Sequence, residues 1–394
     1  MEMNLNDYIS LPDFEASEYK AIHKNSDLFY RIAARKNDLS AERISEQRVV
    51  ILSVPEDRNS DNKGSANSPD AVRRQLYNLY LPSHDIPILD LGNLKQGKTV
   101  KDTYRALYEV YLYLLSLQVI PVIIGGSQDL MYSVFKVYDA LKQPFNLTNI
   151  DARFDLGPVD DAFQNHSFLS KLIQENSPYL FNYTHIGYQT YYNSPDDISL
   201  LDELWFECIR LGKAKNEINE NEPFLRDSDF ACIDINAVRQ SDAPGRANAS
   251  VHGFSGEEAC QLSKYAGMSD RLSGFGIFEM NPEFDRDHQT AEFTAQLVWH
   301  FIQGVWLRKG DFPKRPVTEY RKFIIQTEEE ESTLIFYKNP KTGRWWMEVP
   351  FFEKKEEKNI LVSCSPNDYK VATEGDIPER WWRFYQKLSR AAAK

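Results

Sequence analysis

The stretch "LTNIDARFDLG", residues 147–157, is a short apolar run that closes on two aspartates four apart, Asp151 and Asp155, with Arg153 between them. An apolar run ending abruptly in acids reads as a buried strand whose carboxyl end opens into a site. Arginine stays protonated in proteins and offers only donors, so Arg153 cannot ligate a metal ion. A site that keeps paired acids and inserts a fixed cation has to be understood from the strands around it.

Further apolar runs flank this one: "RVVILSV" (48–54), "DIPILDL" (85–91), "VIPVIIGG" (119–126), "YTHIGYQ" (183–189), "FACIDI" (230–235) and "SGFGIFEM" (273–280). Helical periodicity fills several of the gaps, at 100–118, 199–212, 255–267 and 290–310. Strands apolar throughout and separated by helices predict a parallel sheet covered on both faces. The expected fold is α/β, a three-layer doubly wound and mostly parallel sheet spanning 48–310. Residues 1–47 read as a polar, helix-prone extension. Residues 311–394 read as a small α+β module with a hairpin at "KNPKTG", a further strand and a closing aromatic helix, and the acidic "TEEEES" (327–332) as a solvated loop.

The composition excludes several function classes. With 42% hydrophobic and 13% aromatic residues the chain can build a sizeable core. A formal charge of −12 argues against a nucleic-acid backbone or an anionic membrane as principal partner. Four scattered cysteines without a CxxC pair indicate neither a disulfide framework nor a thiolate zinc site. No apolar run approaches the ~18 residues of a membrane span and no secretory leader is recognisable, so the expected location is the cytoplasm.

In open α/β sheets ligands gather beyond the carboxyl ends of the strands. Four such ends carry polar clusters: "GGSQD" (125–129), "DARFD" (151–155), "DINAVRQSDAP" (234–244) and "FEMNPEFD" (278–285). They supply Gln128, Asp129, Asp151, Asp155, Asp234, Asn236 and Glu279. Two of the clusters have a structural reading when taken alone: a strand-to-helix turn at Gly125-Gly126 with a helix cap at Asp129, and an ion-pair cluster around Arg153; Asp234 beside Asn236 on one strand face is commoner at active sites than in cores. Their convergence on four strand ends argues for a site.

These motifs, in this order, resemble the arginase, agmatinase and formimidoylglutamase superfamily, the ureohydrolases, over roughly 48–310. "VPEDRNSDNKGSANSPDAVRRQLY" (54–77) likewise resembles that family's amino-terminal glycine-rich turn and Pro-x-x-Ile-Arg helix. The resemblance implies a pair of Mn2+ ions at the strand ends, held by two histidines and four aspartates and activating a hydroxide that attacks a guanidinium or amidine carbon. Carried over by position, the family's two histidines are matched by Gln128 and Arg153, and one of its aspartates by Asn236. Asp151, Asp155 and Asp234 are kept. Glu279 matches the glutamate that pairs with the cationic end of the substrate, and His166 falls near a proton-shuttling loop histidine, where a plain surface histidine is the competing reading.

Three aspartates and Arg153 leave a net −2, which one divalent cation balances and two do not. The expected metal positions are therefore Gln128, Asp151, Asp155 and Asp234, hard oxygen donors suited to none or one of Mg2+, Ca2+ or Mn2+. Arg153 and Asn236 are former metal positions, and Arg153 is expected to act as counter-charge in place of a second ion. Dinuclear manganese is not expected. Two functions remain open: a non-hydrolytic binding or scaffold protein with an eroded metal site, and a metal-dependent C–N hydrolase of a linear amidine or guanidine. The expected partners are a small amidine or guanidine ligand, and a protein or second copy meeting residues 311–394. There Trp345 and Trp346, adjacent on a strand, must face opposite ways.

Overall fold

A computed structural model describes residues 3–11, 29, 39–83, 85–159, 164–313, 317–326, 333–353 and 356–392. Among the described residues thirteen strands form two sheets: β1 (Ile9–Ser10), β2 (Val49–Val54), β3 (Ile88–Leu94), β4 (Ile120–Gly125), β5 (Phe145–Ile150), β6 (Leu180–Tyr188), β7 (Glu207–Arg210), β8 (Phe230–Asp234), β9 (Gly274–Phe278), β10 (Arg321–Gln326), β11 (Thr333–Lys338), β12 (Trp345–Glu353) and β13 (Glu356–Cys364). The first nine form one sheet in the order β1-β3-β2-β4-β9-β8-β5-β6-β7. Only β1 is antiparallel.

The central strands β2, β4, β5, β8 and β9 are buried at every position. That is why they read as continuous apolar runs rather than alternating ones. On one face Val49, Ile51 and Val122 pack with Val72, Leu262, Leu297 and Phe301. On the other Val50, Leu52 and Ile123 pack with Leu107, Val110, Val134 and Phe135. Local signals start the helices: Thr99 and Asp102 form a capping box for Val100–Ser116, and Ser255 and Glu258 do the same for Gly256–Gly267.

Two short elements differ from the sequence expectation. The segment expected to be one helix over 199–212 is a helix, Pro195–Glu203, followed by β7, with Trp205 at φ +58° between them. A four-residue strand after an amphipathic helix has too little length to show its own period. In the amino-terminal segment Ile9–Ser10 pairs with the sheet edge and Ala41–Ser45 is a short helix, while most of the expected helical extension, 12–28 and 30–38, lies outside the described residues. The acidic stretch 327–332 lies outside the described residues.

Residues after 311 build the second sheet, antiparallel in the order β10-β11-β12-β13, with helices Pro366–Thr373 and Glu379–Ala392. The hairpin expected at "KNPKTG" joins β11 to β12. Its two tryptophans obey strand alternation. Trp345 enters the module's own core with Phe323 and Tyr369. Trp346 is fully buried toward the large domain, with the Arg226 guanidinium 4.5 Å from its ring centroid. The surface that Trp346 meets is thus within its own chain. Arg380 spans the same seam, its Nη2 2.9 Å from Asp227 and its Nε 3.0 Å from Glu207, and Asp227 also accepts from Ser363. Among the described residues no helix is long and apolar enough to cross a membrane.

Candidate functional site

The four strands whose ends carry the polar clusters are neighbours at the middle of the sheet, β4-β9-β8-β5. Gln128, Asp151, Asp155, Asp234, Asn236 and Glu279 all leave from their carboxyl ends, which is the crevice position of an open α/β sheet.

Close backbone approach shapes the floor. A Cβ on Gly126 would lie 2.1 Å from the Glu56 carbonyl oxygen, so the chain after β4 passes directly against the loop after β2. Gly126 also accepts from the Glu279 amide at 2.8 Å. Glu279 is fully buried with φ +68°, a left-handed backbone conformation. Oε1 accepts from the Gln128 amide (2.9 Å) and Asn165 Nδ2 (3.1 Å), and Oε2 from Asn62 Nδ2 (3.0 Å). The Glu279 carboxylate therefore clamps three loops together. His166 is the neighbour of Asn165 and fastens the loop through its carbonyl, which accepts from Gly157 N at 2.8 Å. Asn165 reaches Glu279 directly.

The aspartates are held differently. Asp151 Oδ1 turns onto its own loop, accepting from the amides of Ala152 (2.5 Å) and Arg153 (3.3 Å). Asp234 Oδ1 accepts from the Asn236 amide and from Arg246 Nη1, both at 2.6 Å. The Arg246 and Asp234 side chains are 11% and 3% exposed. The Gln128 amide is wedged between Asn149 and two carboxylates. The orientation that satisfies every atom has Nε2 donating to Asp155 Oδ2 (3.1 Å) and Asp234 Oδ2 (2.9 Å). In that orientation Gln128 is a donor, and ligating a cation requires the amide to turn.

The counter-charge comes from a residue the sequence did not single out. Arg246 faces Asp234, Glu279, Asp151 and Asp155, and these charges hold its protonated form. Arg153 instead lays its guanidinium over the Tyr192 ring, 4.1 Å from the centroid, and among the described residues no ion pair joins it to the aspartates. The expectation that Arg153 balances the site is corrected on this point. Its backbone belongs to the Asp151 turn, while its side chain leaves the cluster for an aromatic face.

Burial pushes the carboxyls up. Desolvation is the largest cause for all three: Asp151 rises to about 6, and Asp155 and Asp234 rise well above the usual carboxylate range. The imidazole that approaches this cluster, His185, is pushed down to about 4 by burial. Its Nε2 lies 3.0 Å from the Asp151 carbonyl and its Nδ1 3.2 Å from the Tyr183 hydroxyl. It therefore positions a strand and is not free to ligate. Asn236 Oδ1 and Arg246 Nε are buried without a hydrogen-bond partner among the described residues. Among the described residues no group of three His, Cys, Asp or Glu side chains is disposed to hold a metal ion.

Asp129, beside the site, accepts from Ser127 and Tyr104 and is pushed by burial from 3.8 to about 7. A carboxylate raised on folding takes up a proton in the folded state, so its contribution to stability is lost as pH rises from about 4 through about 7. Asp129→Asn cannot ionise. It is expected to match wild type near pH 4 and to exceed it above pH 7, by at most about 4 kcal/mol before lost hydrogen bonds are subtracted. Urea unfolding at both pH values checks this, and a variant less stable at pH 8 than wild type would contradict it.

A sequence model of the arginase family matches residues 47–303. Formimidoylglutamase of Staphylococcus haemolyticus is 26% identical over 282 residues, covering 66% of this chain and 88% of that protein. Formimidoylglutamase of Vibrio cholerae is 25% identical over 277 residues, covering 63% and 80%. Among solved structures, Trypanosoma cruzi formiminoglutamase with Mn2+ superposes with TM-score 0.65 at 17% identity, over 72% of this chain and all of that one. Bacillus subtilis formimidoylglutamase superposes with TM-score 0.61 at 18% identity, over 74% and 98%.

Proposed function

Because the chain belongs to the arginase family, we propose that it is a formimidoylglutamase-like member that holds at most one divalent cation, does not hydrolyse its ligand, and serves as a binding or scaffold protein. The observation that carries this reading is the 2.6 Å contact between Asp234 and the chain's own Arg246. A carboxylate already paired with a fixed guanidinium is a poor ligand for a second cation, since adding a divalent ion beside it costs charge repulsion in a buried setting. The rest of the donor set agrees. Gln128 and Asn236 present amides, Arg153 faces an aromatic ring, and His185 is occupied. Such a set does not suit a pair of Mn2+ ions, and the bridging hydroxide of a two-metal centre is then not available.

The second reading is a one-metal C–N hydrolase acting on a linear amidine. It is favoured by the formimidoylglutamase relatives and by the retention of Asp151, Asp155, Asp234 and Glu279 at three of the four strand ends. The two separate in one assay: N-formimidoylglutamate is incubated with the protein and excess Mn2+, and release of free glutamate is followed by NMR. The proposed reading expects no release above the protein-free control. Saturable, Mn2+-dependent release would establish the second reading. Location in the cytoplasm and contact of residues 311–394 with another protein belong to the same proposal. The exposed Trp382 and Ile324 are where that module remains open.

A further inference from the structure

We infer that Arg246 is a tethered cation filling a latent divalent-cation site, whose oxygen donors are Asp155, Asp234 and Gln128 and which opens to a free metal ion when the guanidinium is removed. The inference rests on the reading above that the native site lacks a two-metal centre, and it adds what fills the site instead.

The arginine is aimed by its loop. Gly245 N donates to Thr290 Oγ1 (2.7 Å), the Gly245 carbonyl accepts from Asn281 N (2.7 Å), and Ala247 N donates to Asn62 Oδ1 (3.1 Å). Asn62 also holds Glu279. Residues on both sides of Arg246 are thereby pinned to the glutamate clamp, and the guanidinium enters the carboxylate cluster from a fixed backbone.

The fit is that of a substitute rather than of a perfected pair. Among the described residues Arg246 Nε has no partner although buried, and the buried Asn236 Oδ1, two residues beyond Asp234, has none either. Both residues bond to Asp234 Oδ1, so the guanidinium leaves a donor and an acceptor unspent around that carboxylate. On the other side Gln128 bridges Asp155 and Asp234 at 3.1 and 2.9 Å through its amide. Turning that amide presents its oxygen at the same separations from the two carboxylate oxygens. Adjacent ligand oxygens about 3 Å apart are what metal–oxygen distances of about 2.1 Å at right angles require. The removal of one positive charge and one turn of an amide therefore convert a hydrogen-bonded cluster into a set of hard oxygen donors.

The test uses the full chain, prepared free of metal, as wild type, Arg246→Met and Arg246→Lys. Mn2+ and Ca2+ are titrated by calorimetry and by thermal unfolding at pH 7.5. Arg246→Met keeps most of the side-chain volume and is expected to bind one equivalent at least ~10-fold more tightly than wild type, with a Tm rise of a few degrees at saturating metal. Arg246→Lys, which keeps the charge, is expected to behave as wild type. Arg246→Met combined with Asp234→Asn, which removes a donor, should lose the gain. The inference is overturned if folded Arg246→Met binds no more metal than wild type, or if wild type binds one equivalent as tightly as the variant. Two tightly held equivalents in wild type would instead overturn the functional reading itself. Should Arg246→Met be isolated unfolded, refolding by Mn2+ or Ca2+ supports the inference and failure of both to refold it opposes it.

Discussion

Arg246→Met is expected to lower stability by about 3–5 kcal/mol at pH 8 in metal-free buffer, the range for removing one partner from a buried ion pair. Asp234 loses the donor at 2.6 Å, and Asp151, Asp155 and Glu279 lose the cation they face. The loss should shrink toward pH 5. Burial raises Asp151, Asp155 and Asp234 above the usual carboxylate range, so acidification lets protons replace the missing charge. In linkage terms the variant binds more protons folded than unfolded, and its stability rises as pH falls through that window. Adding Asp234→Asn should return a large part of the lost stability, because the pair acts as a unit and its two members are not additive. Denaturant titrations of the two single variants and the double variant at pH 8 and pH 5 check all three expectations. A variant within 1 kcal/mol of wild type at pH 8 would show that the carboxylates are neutralised some other way.

Arg380→Met should have a comparable effect at the domain seam, again about 3–5 kcal/mol. Arg380 is 5% exposed and faces Glu207 from β7 and Asp227 from the large domain. Removing it strands two buried carboxylates on the face to which the carboxyl-terminal module docks. Only the Asp227 contact is aligned as a hydrogen bond, so Glu207 contributes mainly through charge. The expected readout is loss of module docking before global unfolding: a red shift of tryptophan emission as Trp346 is uncovered, at lower urea than the main transition. If emission and far-UV signals still change together at the wild-type midpoint, apolar packing around Trp346 holds the seam and the charges are incidental.

The sheet was legible because its strands are buried on both faces, and the runs at 48–54, 119–126, 145–151, 230–235 and 273–280 therefore carry an unbroken apolar signal. The four strand ends that supply the site followed from the same pattern, and they proved to be adjacent. β7 was not legible: four residues show no period, and the helical segment before it absorbs them. Arg246 was missed for another reason. Charge counting calls for a cation in the cluster, and Arg153 fits that role in sequence because it stands at the position of a family metal-binding histidine between two of the acids. Side-chain direction in a loop follows no period, and Arg153 turned to Tyr192 while an arginine twelve residues beyond Asp234 turned inward. Asn62 and Asn165 were invisible on the same grounds, since both reach Glu279 across more than a hundred residues of chain. The paired tryptophans were legible in alternation but not in destination, because the sequence does not say that the module folds back on its own domain.

The most direct measurement is anomalous scattering at the manganese edge from crystals grown in excess Mn2+. The account predicts no more than one manganese peak among Asp151, Asp155 and Asp234, with Arg246 still hydrogen-bonded to Asp234. Two strong peaks about 3.5–4 Å apart, with Arg246 displaced from Asp234, would contradict it.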